Sequence, residues 1–136
     1  MSAIARASNS IWVSRVCENV PPGSRDPRRN GLLALFFIVK GKGLVILVGC
    51  AHPGIVNTVK HVQKITGNQK VHAVVGGLHL VGLKPELIQK TVTDIKTAAP
   101  DYIVPCHCTG YEAIGLFQKE MPKQLILNTA GTKFVF

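Results

Sequence analysis

The sequence predicts an α/β domain, a mixed sheet with helices packed on it. Three observations lead there. From Leu32 onward, short runs rich in Val, Ile, Leu and Phe alternate with stretches whose apolar residues recur at helical spacing. Gly and Pro punctuate the junctions. The 136 residues, 46% of them hydrophobic, suffice for one modest domain with a buried core, which excludes both a disordered polar tract and a two-domain enzyme.

Taken in order, Leu33 to Val39 and Leu44 to Val48 flank Lys40-Gly-Lys-Gly43 and read as two strands of a hairpin. Ile55, Val56, Val59, Val62 and Ile65 form an apolar stripe at helical spacing that stops at Gly67, a natural C-terminal cap. Val71 to Val75 is the next strand. A second helix starts at Pro85, a residue favoured at the first helical position, runs through Leu87, Ile88, Val92 and Ile95, and ends before Pro100. Tyr102 to Val104 is a short strand, and Thr109-Gly-Tyr-Glu112 has capping-box spacing ahead of a third helix through Ala113, Ile114 and Phe117. Leu125 to Leu127 and Lys133 to Val135 complete the pattern as strands.

The segment 1–30 differs in kind. All five arginines lie between Arg6 and Arg29, and Pro21, Pro22, Gly23 and Pro27 disfavour regular structure, although Ile11 to Val16 could form a strand. It is expected to be a basic, loosely ordered arm ahead of the folded portion, 31–136. Met1 to Arg15 carries no acid but lacks the continuous apolar core of a secretory signal, and the strongest apolar stretch, Leu32 to Val48, is broken by Lys40 and Lys42. It falls short of the roughly 20 residues a membrane span needs, so a cytoplasmic protein with no membrane partner is expected. Sixteen Lys and Arg against seven Asp and Glu give a net charge of +9, which suits an anionic small-molecule substrate.

Three strands end in a histidine turn: Gly49-Cys-Ala-His52-Pro-Gly54, Gly76-Gly-Leu-His79-Leu80 and Pro105-Cys-His107-Cys-Thr-Gly110. Loops leaving strand ends in such sheets face a common crevice, so His52, His79 and His107 are the candidate metal ligands. Neutral imidazoles suit zinc or another divalent transition metal, and three protein ligands with a position left open are the arrangement a catalytic zinc requires. One ion is the expected load. Each histidine taken singly could also be an ordinary polar turn residue. His61 lies off its helix stripe and is expected to be solvated; His72, at the start of a strand, receives no role. If residues 106–108 are extended, Cys106 and Cys108 point to one side and His107 to the other. That disfavours a thiolate site and leaves the cysteines as small lining residues. Nothing about them argues for disulfides.

Gly43-Leu-Val-Ile-Leu-Val-Gly-Cys-Ala-His-Pro-Gly-Ile-Val-Asn57, Val74-Val-Gly-Gly-Leu-His-Leu80 and Pro100-Asp-Tyr-Ile-Val-Pro-Cys-His-Cys-Thr-Gly110 resemble the C-terminal half of metallo-β-lactamase-fold metallohydrolases. The subgroup is the one described as dihydropterin (ribofuranosylaminobenzene phosphate) synthase-like. The resemblance covers about Leu32 to Phe136, with the three motifs in the right order. It implies a partial αβ/βα sandwich, metal binding by His52 and His107, and a further ligand or substrate contact from His79. The family's His-x-His-x-Asp-His motif is absent: no His-x-His occurs in this sequence, and no acid falls inside the three histidine turns. A two-metal clamp cannot be built from these residues alone.

Three functions are therefore in view. The first is a zinc-type hydrolase, or a pterin-type transferase of the same fold, incomplete in its ligand set. The second is a non-catalytic metal-binding remnant of a truncated domain, or a subunit whose exposed sheet or helix layer is covered by another copy or a partner chain. The third is a basic nucleic-acid-binding protein using Arg15, Arg25, Arg28 and Arg29; the strands carry no interleaved aromatics for base stacking, which speaks against it.

Overall fold

The computed structural model describes residues 4–7, 11–16 and 32–135, with side chains from Ala34 onward. The elements are β1 (Ile4–Ala7), β2 (Ile11–Val16), β3 (Leu32–Val39), β4 (Gly43–Val48), α1 (Ile55–Thr66), β5 (Val71–Gly77), α2 (Pro85–Ala98), β6 (Tyr102–Cys106), a 3-10 turn (His107–Thr109) and α3 (Tyr111–Glu120). The sheet runs β1-β2-β3-β4-β5-β6. Its first half is antiparallel, and the predicted hairpin is there, with Val39 opposite Gly43 and the Lys42 N–H donating to the Val39 carbonyl at 3.0 Å. β4, β5 and β6 are parallel, joined through α1 and α2. The expected mixed α/β sheet is what the chain adopts.

Hydrophobic pattern explains the layering. The stripe of α1 buries Ile55, Val59 and Val62, and α2 buries Ile88, Val92 and Ile95 at helical spacing. These side chains meet alternate residues of the strands, Phe36, Leu44, Ile46 and Val74 among them, in one core that also takes in Phe117 of α3. Each fully buried aliphatic side chain contributes about 1.5–3 kcal/mol. β4 and β5 are buried almost throughout, Val45 and Ala73 included, as parallel strands covered on both faces are. α1 stops at Gly67, which takes the left-handed cap at φ 68°, and α2 begins with Pro85 in its first turn.

Three expectations need correction. The loose arm is corrected in part: the strand foreseen at 11–16 forms and a second lies at 4–7, because β2 pairs with residues 32–37 of β3 and β1 pairs with β2. The two final strands do not form. Residue 125 makes a single parallel bridge to Ile103, held by Ile103 N–H to the Gln124 carbonyl and Ile126 N–H to the Ile103 carbonyl, each 2.9 Å. The next position on that edge is Pro105, which has no N–H to extend the ladder, and 133–135 are irregular. The capping box is also not made: α3 is capped by Gly110 without a side-chain bond, while the Thr109 hydroxyl donates to the Cys106 carbonyl at 2.8 Å and accepts from Leu78 N–H at 3.2 Å. No helix among the described residues is long and apolar enough to cross a membrane.

Candidate metal centre at the strand-end rim

Because β4, β5 and β6 are parallel, the loops that follow them leave from one edge of the sheet, and all three histidine turns are brought to that rim. Hydrogen bonds tie the turns together. Gly77 N–H donates to the Gly49 carbonyl at 2.8 Å, and Leu80 and Val81 N–H both reach the Cys108 carbonyl, at 3.0 and 3.1 Å. The His79 N–H donates to the Cys108 sulfur at 3.3 Å. Two glycines permit this closeness. Gly76 adopts φ +137°, and a Cβ there would lie 2.0 Å from the Val48 carbonyl oxygen; a Cβ on Gly77 would lie 2.5 Å from His107 Cε1 and 2.6 Å from both His107 Nε2 and Cys108 Sγ.

Each predicted histidine can now be placed. His107 is exposed, and its Nε2 lies 3.0 Å from Cys50 Sγ. His52 and His79 stand ring to ring, centroids 4.5 Å apart at 69°, edge to face. That pair lines a cavity of about 510 Å³ between α1 and α2, together with Lys60, Leu83, Leu87 and Lys90. On the other flank of His107 a second cavity, about 470 Å³, is bounded by Tyr111, Leu127 and Asn128. His79 at φ 53° and Ala51 at φ 48° hold left-handed backbone, a conformation non-glycine residues adopt at a cost of about 1–3 kcal/mol. Ala99 shares that conformation, but there it caps α2, its N–H on the Lys96 carbonyl.

The expected separation of His107 from the flanking sulfurs does not hold. Residues 107–109 form a 3-10 turn instead of continuing extended, so successive side chains no longer alternate, and Cys50, His107 and Cys108 bring one donor atom each to within 4.8 Å of one another. Cys106 stays outside this group, its sulfur 3.8 Å from Asn128 Nδ2. The position of the two sulfurs depends on that turn, which an extended segment does not contain; the sequence signal is a cysteine two residues before His52 and another directly after His107. Burial pushes the Cys108 thiol above its ordinary pKa, the neighbouring Cys50 adds to this, and the His79 N–H opposes it. Imidazole and thiol donors converging where a glycine leaves room fit a borderline or soft divalent cation.

The carboxylate missing from the turns is present on a helix. Asp94 of α2 lines the histidine cavity, paired with Lys90 at 3.0 Å. His61 is half-buried, not fully solvated. His72 is buried, with Nδ1 2.7 Å from Asp101 Oδ2.

No family model matches the chain. It is 46% identical over 94 residues to the 7,8-dihydropterin-6-methyl-4-(beta-D-ribofuranosyl)-aminobenzene-5'-phosphate synthase of Methanocaldococcus jannaschii, a match covering 69% of this chain and 32% of the relative. An uncharacterised protein of the same organism is 35% identical over 80 residues, 59% of this chain and 28% of that protein. The chain thus spans about a third of the length of these curated relatives. A solved structure described as a metal-dependent hydrolase of the β-lactamase superfamily superposes with a TM-score of 0.86 at 26% identity, covering 98% of this chain and 56% of that one. Likeness in sequence and likeness in backbone point the same way: the chain has the fold of the metallo-β-lactamase superfamily, and its sequence is similar to part of the dihydropterin (ribofuranosylaminobenzene phosphate) synthase.

Proposed function

We propose that this chain supplies the His52, His79 and His107 rim of a metal-dependent hydrolase acting on an anionic ester or phosphoester, or of a pterin-type transferase built on the same site. The observation that carries the reading is the convergence of three histidine turns on one rim, tied by backbone hydrogen bonds, with His107 beside two sulfur donors. The solved structure's description supports a metal, and the relative's name supports a phosphate-bearing compound, the product it names, at such a site. A bound zinc would supply Lewis acidity to polarise the scissile group and activate water. The chain's own residues do the rest. The glycines bring the turns close, His52 and His79 line the cavity, and Lys60, for which no carboxylate partner is found among the described residues, attracts an anion into it.

A second reading draws on the absence of His-x-His from the sequence: the remaining ligands come from a partner chain, and the rim works only in the assembly. Zinc titration with turnover of a generic phosphodiester separates the two. Near one equivalent of zinc and measurable turnover by the isolated monomer, lost in His107→Ala, upholds the first. A zinc-loaded monomer without turnover, and an active larger assembly in sedimentation, upholds the second. Protein that binds no zinc defeats both.

A further inference from the structure

We infer that Cys50 and Cys108 are metal ligands in their own right, forming with His107 a Cys₂His site for one soft cation of the zinc type. The sequence puts cysteines beside His107, but the alternation of an extended segment argues against their use; the sulfurs enter through the geometry. Cys50 leaves β4 directly after Gly49, and its sulfur lies 3.0 Å from His107 Nε2. The 3-10 turn at 107–109 then swings Cys108 to the same side, and the three donor atoms lie within 4.8 Å of one another. A cation takes such donors at Zn–S and Zn–N distances of about 2.0–2.3 Å once the side chains draw in slightly from spacings of up to 4.8 Å.

Two further features favour a cation here over a mere thiol–imidazole hydrogen bond. Gly77 faces the group and presents no side chain; the volume a Cβ would fill, 2.5–2.6 Å from both His107 and Cys108, is left open beside the donors. The His79 N–H is fixed on the Cys108 sulfur, which orients that sulfur and stabilises negative charge on it. Both cysteines are half-buried while His107 is exposed, so three protein donors are held from beneath and a fourth position is open to solvent or substrate. Binding replaces the thiol protons, one released to solvent for each sulfur that ligates. Thiolate donors select zinc, cadmium or cobalt and discriminate against magnesium and calcium.

The site shares His107 with the hydrolase reading but does not rest on it, since an ion can bind here without turnover. The test is cobalt(II) and zinc titration of the full chain and of Cys50→Ser, Cys108→Ser and His107→Ala. Cys106→Ser is the matched control, a cysteine of the same motif outside the group. Wild type and Cys106→Ser are expected to give the near-ultraviolet sulfur-to-cobalt charge-transfer band and to release protons on zinc binding, with excess magnesium failing to compete. Loss of even an outer partner costs metal sites about 10–100-fold in affinity, so each of the other three variants should lose at least that much, and each Ser variant should weaken the band. Circular dichroism and melting without metal show whether each variant is folded. Folded Ser variants that bind zinc as the wild type does, or a wild-type cobalt complex lacking the band, overturn the proposal. Should His52→Ala and His79→Ala alone abolish binding, the histidine reading survives and this one does not.

Discussion

Strand β5 has a histidine near its start and another just past its end, and the two live in opposite surroundings. His72, second residue of the strand, is buried, with Asp101 at 2.7 Å and the Tyr102 ring edge-on at 5.3 Å. His79, two residues past the other end, is exposed, sits in left-handed backbone, and has the His52 ring as its neighbour. A buried imidazole beside a carboxylate has the hydrogen bonding that burial demands, and its chemistry is spent on holding the sheet together. At the rim the neighbours are imidazoles and thiols, the donor set proposed here for a cation, and the backbone is left-handed at His79 and Ala51. The same residue type thus serves structure at the start of the strand and, on the proposed reading, chemistry just past its finish.

The comparison is broken most severely at Gly76. An Ala there places its Cβ 2.0 Å from a backbone oxygen of β4 and forces a side chain onto φ +137°. Overpacking and backbone strain each cost about 1–3 kcal/mol, and the neighbouring atom is main chain that cannot swing aside. Gly76→Ala should therefore lose roughly 3 kcal/mol or more in urea unfolding, with both ends of β5 disturbed. A melting curve like the wild type's would contradict the tight β4–β5 approach.

Gly77→Ala sharpens the contrast, because the nearest atoms its Cβ would meet belong to His107 and Cys108, side chains that can move. A stability loss of about 1–3 kcal/mol is expected. Zinc affinity should fall at least tenfold, a disturbance comparable to losing an orienting partner. Equal zinc affinity in Gly77→Ala and wild type would show that the open volume has no part in the rim.

Much of this architecture was legible in the sequence, for identifiable reasons. The stripes Ile55-Val59-Val62 and Ile88-Val92-Ile95, bounded by Gly67, Pro85 and Pro100, carry their period and their punctuation locally, so both helices could be read directly. The three turns were legible as strand ends, and the parallel order that gathers them follows from helices intervening between strands. What escaped depends on pairing between distant segments. The pairing of β2 with β3 spans an intervening Pro-rich stretch, and the 3-10 turn that redirects Cys108 is held by Thr109, whose hydroxyl accepts from Leu78, 31 positions earlier. Asp94 was hidden on a helix whose apolar stripe drew attention to its other face.

The smallest expected effect lies at the start of the strand. Asp101→Ala removes the carboxylate from a ring only 7% exposed while leaving the rim intact. Asp101 is itself 44% exposed, so solvent screens part of its attraction, and the net worth of the contact is that of one hydrogen bond, about 1 kcal/mol. For a domain of this size that is a fall of roughly 3–5 °C in melting temperature, with zinc affinity unchanged. A drop in zinc affinity as large as that in Gly77→Ala would mean the two ends of β5 are coupled through the strand, and the division between a structural and a chemical histidine would no longer stand.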